Sequence, residues 1–183
     1  MAGKEVIYAM KKLEEYVTSI PDFPEKGIIF RDITSVLSDA DGLQLAVDTY
    51  VDMLKDVDFD VIVGAEARGF IFGAVLSYLF HKPFIPARKP GKLPRSTVSM
   101  DYELEYGTAS IHLHDDSISD GHKVVIIDDL IATGGTVEAI AKLVEQLGGN
   151  VVKICFLMEL AGLHGRDRLK KYDVSSAIVY DGK

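Results

Sequence analysis

The stretch KVVIIDDLIATGGT, residues 123–136, decides how this chain folds. Val124, Val125, Ile126 and Ile127 form a β-branched run of strand length, and Asp128 and Asp129 stop it abruptly, so a loop is expected to begin at the two acids. Thr133, Gly134, Gly135 and Thr136 follow. Val137, Ile140, Ala141, Val144 and Leu147 then recur at helical spacing until Gly148 and Gly149, which suit a helix end. The unit is therefore strand, acidic pair, glycine and hydroxyl loop, helix. In such a unit the loop N–H groups and the positive end of the helix dipole converge on one point, which favours a phosphate. Carboxylates beside that point repel a phosphate, but they accept hydrogen bonds from sugar hydroxyls and help hold a hydrated divalent metal. The constellation fits a phosphorylated ribose better than a bare phosphate.

Outward from this unit the pattern repeats. Residues 60–64 read as a strand, and GAEARGF behind it turns into an apolar helix running to Phe80, a second strand-loop-helix junction. Its loop N–H groups suit an anion, although any turn of this class looks alike. Residues 84–87, 151–160 and 174–180 read as further strands, the last two on either side of AGLHGRDRL. Strands alternating with helices over residues 60–160 require a parallel sheet covered on both faces, with ligands at the carboxyl ends of the strands. The class is α/β. A helix is expected over residues 4–17, with Val6, Ile7, Met10, Leu13 and Val17 on one side, and another from Asp41 through Leu43, Leu45, Ala46, Val47, Tyr50 and Leu54. Between them Pro21, Pro24 and Gly27 break regular structure, and the short segment GIIFRDIT ends in Arg31 and Asp32, which on pattern alone read as a surface ion pair.

Residues 88–95 carry Arg88, Lys89, Lys92 and Arg95 among Pro90, Gly91 and Pro94, with no acid. A solvated basic loop is the ordinary reading of such a run. In a chain with a net charge of −8 it is also a ready lid over a polyanion, mobile over residues 88–104 until one binds. Residues 96–107 are expected to continue irregularly, and the alternating ASIHLH to form a strand with His112 and His114 on one face. Without a third ligand nearby these histidines read as surface or packing groups.

Composition sets the outer limits. At 183 residues, 48% hydrophobic and with a mean hydropathy of +0.14, the chain suits one well-packed domain. Its apolar runs are of strand length and no signal-peptide pattern stands at its start, so a soluble, cytoplasmic protein with no membrane partner is expected. The acidic balance argues against nucleic acid, whose backbone is held by clustered Lys and Arg. Cys155, the single cysteine, sits in VVKICFLMEL and reads as a small buried hydrophobe.

VVIIDDLIATGGT resembles the phosphoribosyl diphosphate (PRPP) signature of the type I phosphoribosyltransferases, and PDFPEKGIIFRDIT, RKPGKLPRSTVSMDYELEYG and the EL of FLMELAGLHGRDRL resemble the adenine-using branch of that family. The resemblance implies one domain over residues 1–183, with a small N-terminal hood over about 1–33, a core over about 34–183 built on a mostly parallel twisted sheet flanked by helices, and a flexible loop. It implies transfer of phosphoribosyl from PRPP to adenine with Mg²⁺, giving AMP and diphosphate in purine salvage. Asp128 and Asp129 would bind the ribose hydroxyls, with the Mg²⁺ held mainly through PRPP and by Asp128 or Asp129 through a water, while Ala132, Thr133, Gly134, Gly135 and Thr136 cradle the 5′-phosphate. Arg68 and the backbone of Ala65, Glu66 and Ala67 match the diphosphate loop, with a cis peptide between Glu66 and Ala67. Arg88, Lys89 and Lys92 match the diphosphate contacts and flexible loop, to which a neighbouring subunit contributes, so a homodimer is implied. Glu105 and Tyr106 match the pair that closes over the reaction centre, with Glu105 and Arg68 in catalytic roles. Ile29, Arg31 and Leu160 match the adenine pocket. Two other readings compete: a PRPP or purine sensor without activity, for which a basic face or extra domain is missing, and a phosphoacceptor receiver, which lacks the Thr-Gly-Gly-Thr loop.

Overall fold

The computed structural model describes residues 11–103 and 107–182. They fall into two compact units, residues 1–46 and 47–183. In the first unit Leu13–Tyr16 is a single 3-10 turn, β1 (Thr18–Pro21) pairs antiparallel with β2 (Ile29–Asp32), and α1 (Thr34–Leu37) follows. Leu13 and Val17 are buried, as an amphipathic segment requires, but the helix expected over residues 4–17 does not reach its predicted end. Val17 has extended backbone leading into β1, and the hydroxyl of Ser35 accepts the Thr18 N–H and donates to the Tyr16 carbonyl, so tertiary bonds replace the last helical turn. The earlier part of that helix lies outside the described residues. Ala40–Leu54 forms α2, as its periodicity predicts.

The second unit is built on five strands in the order β4 (Phe84–Ala87), β3 (Val61–Ala65), β7 (Lys123–Ile131), β8 (Asn150–Leu160) and β9 (Val174–Tyr180), all neighbours parallel. Helices α3 (Arg68–Phe80) and α4 (Gly135–Gln146) connect strands in the way parallel pairing demands. Alternation divides the sheet's side chains between two faces. Val61, Val63, Val124, Ile126, Ile154 and Phe156 form one core with Val137, Ile140, Ala141 and Val144 of α4. Ile62, Val125, Ile127 and Leu157 are fully buried too, and their opposite parity places them on the other face. Strands buried on both faces explain why the sequence shows continuous apolar runs rather than alternation. Cys155 is buried among them, and burial pushes its thiol up to about 12, so it stays a neutral hydrophobe as expected.

Two expectations fail here. The strand does not stop at the acidic pair: β7 runs on through Asp128, Asp129, Leu130 and Ile131, because β8 continues alongside and pairs Asp128 with Phe156, Leu130 with Met158 and Ile131 with Glu159. Backbone partners, not side-chain polarity, set where this strand ends. Residues 96–107 are not wholly irregular either. Thr97–Glu103 forms β5, an antiparallel partner of β6 (Thr108–His114), with Val98, Met100 and Tyr102 facing the core of the unit. His112 lies within reach of the Thr97 and Ser110 hydroxyls, and His114 of the Ser96 carbonyl, which suits packing groups. Among the described residues no helix is long and apolar enough to cross a membrane.

Candidate active site

Because β3 and β7 are parallel neighbours, their two strand-loop-helix junctions open at the same edge of the sheet. Between them lies a cavity of about 470 Å³, lined by Glu66, Ala67 and Arg68 from the β3 turn, Asp128 and Asp129 from β7, Thr136 from α4, Lys89, and Tyr102, Ala109 and Ile111 from the hairpin β5–β6. The helix α3 can begin this close to β7 only because residue 69 is glycine. A Cβ there would lie 2.6 Å from the Ile127 carbonyl oxygen and 3.1 Å from Asp128 Oδ1.

The acidic pair is held from three sides. The hydroxyl of the fully buried Tyr50 donates to the Asp128 carbonyl at 2.8 Å, and the Asp129 N–H donates to Asp128 Oδ1 at 2.9 Å. Arg68 Nε lies 2.5 Å from Asp129 Oδ2, yet no donor is aligned to hydrogen bond with that buried oxygen, so the contact is an ion pair. Burial, and then the Asp129 carboxylate beside it, push the Asp128 carboxyl well above the usual range. The same surroundings raise the Tyr50 phenol, burial first and the two aspartates next, so it remains a donor. Two crowded carboxylates with one cation between them want further donors or positive charge.

The β3 turn contains a cis peptide bond between Glu66 and Ala67, as expected. The Glu66 N–H is bound to the Ala87 carbonyl at 3.0 Å, and Ala65 is fully buried in β3, so Ala67 and Arg68 present the exposed part of this turn. The Glu66 side chain reaches sideways: its carboxylate accepts the Lys89 N–H at 2.8 Å and lies 3.3 Å from Arg88 Nη2. Burial pushes that carboxyl up, but the Lys89 N–H and the Arg88 guanidinium outweigh it and hold it below its ordinary value. Arg88 Nη1 also donates to the Lys92 carbonyl at 3.2 Å. Arg88 therefore braces the start of the basic segment, Lys89 lines the cavity, and Lys92 is exposed.

Residues 132–136 close a second hollow of about 90 Å³ with Asp128, Leu130, Val137 and Phe156. That is room for several waters, and suits a phosphate-sized group. Gly134 has φ +78°, and no side chain caps α4. The first N–H groups of the helix therefore face this hollow without an internal acceptor from a capping side chain.

Leu160 is half-buried at the end of β8, opposite Tyr180. In the other unit Ile29 is exposed on β2, while Arg31 is half-buried and its Nη1 donates to Ser19 Oγ at 2.5 Å. Glu105 and Tyr106 lie outside the described residues. Sequence reasoning passed over Tyr102 as a cavity-lining residue, although the alternation Val98, Met100, Tyr102 against Ser99, Asp101, Glu103 is the period-two signal that marks it. Among the described residues no group of three or more His, Cys, Asp or Glu gathers to hold a metal. The donor set of two carboxylates, one with an oxygen lacking an aligned donor, nevertheless fits Mg²⁺, which keeps most of its waters and takes one or two carboxylates plus substrate oxygens.

A model of the phosphoribosyl transferase domain matches residues 44–182. The adenine phosphoribosyltransferase of Lachnoclostridium phytofermentans is 67% identical over 174 residues, covering 95% of this chain and 100% of that protein. Among solved structures, the adenine phosphoribosyltransferase of Thermoanaerobacter pseudethanolicus superposes with a TM-score of 0.88 at 52% identity, over 92% of this chain and all of that one. The Saccharomyces cerevisiae adenine phosphoribosyltransferase, in complex with an imino-altritol bisphosphate and adenine, gives a TM-score of 0.84 at 37% identity over 90% of this chain and 96% of that one.

Proposed function

Because the chain belongs to the adenine phosphoribosyltransferase family, we propose that it transfers the phosphoribosyl group of PRPP to adenine, giving AMP and diphosphate and returning free purine to nucleotide. The observation that carries the reading is the convergence of Asp128 and Asp129, the Arg68 turn and the loop at residues 132–136 around one sheet edge. Each serves a different part of PRPP. The loop and the first turn of α4 take the 5′-phosphate, the aspartates take the ribose hydroxyls, and Arg68, Ala67, Lys89 and the Arg88 segment face the diphosphate. Mg²⁺, held through water by Asp128 and Asp129, would neutralise charge on the departing diphosphate.

The bond from ribose C1 to diphosphate breaks with its electron pair leaving on oxygen, and the N9 lone pair of adenine forms the new bond. Negative charge grows on the diphosphate as it leaves, which is where a fixed guanidinium such as Arg68 contributes most. The N9 proton must also go, and Glu105, with Tyr106 beside it, is assigned to that end of the purine. Recognition of adenine is assigned, on the family resemblance, to the main chain of Ile29 and Arg31 and the side chain of Leu160. An N–H meeting N1 and a carbonyl meeting the 6-amino group would reject hypoxanthine and guanine, whose donor and acceptor pattern is reversed, at about 1–3 kcal/mol for each unmet group. The yeast relative holding a sugar bisphosphate analogue and adenine together supports this pairing of ligands.

A homodimer and a cytoplasmic location complete the proposal. The dimer is supported by an exposed apolar stripe on α3, Ile71, Val75, Tyr78 and Leu79, at one-turn and two-turn spacing. Incubation with PRPP, Mg²⁺ and a panel of bases tests the activity. AMP formed from adenine, with hypoxanthine and guanine at least about tenfold poorer in kcat/KM, is the expected result, and no nucleotide from any base would refute it.

A further inference from the structure

The segment after β8 has a part in this site that the signature loop does not reveal. Gly165 is buried at the head of the 3-10 turn Gly165–Leu169, and its backbone touches the phosphate loop with no side chain between. A Cβ on Gly165 would overlap the Ala132 carbonyl oxygen and lie 2.8 Å from Ile131 Cγ1, while a Cβ on Gly134 would lie 2.5 Å from the Gly165 carbonyl oxygen. Contact at that distance leaves room for a hydrogen atom on either residue and for nothing larger.

Gly165 is fixed by its neighbour. Arg166 Nε lies 2.8 Å from both carboxylate oxygens of Glu159, its Nη1 donates to the Val174 carbonyl at 2.9 Å, and its Nη2 donates to Ser176 Oγ at 3.2 Å. Glu159 is only 6% exposed, an unusual place for an acid, and stands opposite Ile131 in the β7–β8 register, one residue before the loop begins. Ladder pairing joins Ile131 to Glu159, an ion pair joins Glu159 to Arg166, the chain joins Arg166 to Gly165, and close packing joins Gly165 back to Ala132. The ring closes on the first residue of the loop.

We infer that Gly165 and Arg166 are positioning residues that hold the loop at residues 132–136 in the shape that receives the sugar 5′-phosphate. The inference rests on the phosphoribosyl transfer proposed above. A residue that only ties β8 to β9 would lower melting temperature and leave ligand affinities in proportion. A positioning residue acts selectively on the phosphate end.

The test compares the full chain with Gly165→Ala, Arg166→Ala and Arg166→Lys. Calorimetric titration with ribose 5-phosphate is expected to show Kd raised about tenfold or more for Gly165→Ala, with KM for PRPP rising alongside and KM for adenine within about twofold of wild type. Arg166→Lys keeps the charge but loses the fork that spans Glu159, Val174 and Ser176, so it should fall between wild type and Arg166→Ala, and it decides the matter if Gly165→Ala does not fold. Ribose 5-phosphate affinity unchanged in the folded variants, or lost in step with adenine, overturns the inference while leaving the activity standing. A wild-type protein that neither binds ribose 5-phosphate nor makes AMP overturns both.

Discussion

Asp128 carries its charge at a cost to the folded chain. Its ionised form is disfavoured by burial and by Asp129, so its folded value lies above the ordinary carboxylate value of 3.8. Below 3.8 the group is protonated folded and unfolded alike and has no effect; as pH rises from there to the raised folded value the penalty grows, and above it the penalty stands in full. Asp128→Asn keeps the acceptor for the Asp129 N–H and removes the charge. It is expected to melt higher than wild type at pH 7, to lose that advantage below about pH 4, and to lose at least about tenfold in kcat/KM for PRPP. Thermal melts across pH with steady-state kinetics check it; a variant less stable at pH 7 would contradict it. Glu66 has the opposite sign. Its folded value is held below 4.5 by the Lys89 N–H and Arg88, so its contribution is present above 4.5 and is lost as pH falls through the lowered folded value. Glu66→Gln should therefore lower the melting temperature at pH 7, with the difference from wild type closing in acid.

At the scale of elements, helices α2 and α4 were legible because their apolar spacing repeats over several turns, α3 because an apolar run of helix length follows a strand and a turn, and β9 because a short apolar run stands between breakers. The length of β7 was not legible. Asp128 and Asp129 are poor strand formers, and only the alignment of β8 beside them keeps the ladder going through Ile131. The strand β5 was hidden by the basic, proline-bearing run that precedes it, so Thr97–Glu103 is paired strand where irregular chain was expected. The acids and glycines of the proposed phosphate and ribose sites were legible as neighbours because they are adjacent in sequence. Tyr50 was read only as a core residue, since its partner is a backbone carbonyl 78 positions away. Its hydroxyl anchors β7 at Asp128 from α2. Tyr50→Phe is expected to cost about 1 kcal/mol, or more if the Asp128 carbonyl is left without a donor, measured by chemical denaturation. KM for PRPP should rise with it, because the strand end that presents both aspartates loses one of its anchors; an unchanged KM would mean that the sheet alone holds them.

For the molecule as a whole, the acidic balance and the anionic substrate proposed for it pull in opposite directions, so binding would depend on local positive charge from Arg68, Lys89, the α4 terminus and any metal held there. Helix α3 carries both Arg68 and an exposed apolar stripe. Arg68 opens the helix on the side of the cavity, while Tyr78, 85% exposed, and Leu79, 54% exposed, extend an apolar stripe from Ile71 and Val75 that no described residue covers. A large tyrosine and leucine left so open on a helix whose other face is core favour a partner surface, and an isologous contact would place the same stripe of a second chain against it. A stable interface needs about 800 Å² from each partner, so the stripe would be its centre and not its whole extent. Sedimentation of the wild type at micromolar concentration is expected to give a dimer, and Val75→Glu with Leu79→Glu a monomer, because closure would bury four like charges, two from each chain. Since the helix that docks also carries Arg68, the monomer should bind PRPP less tightly than the dimer, with KM for PRPP raised and KM for adenine changed less. A wild type that sediments as a monomer, or a double variant that stays dimeric, would move the subunit contact off α3.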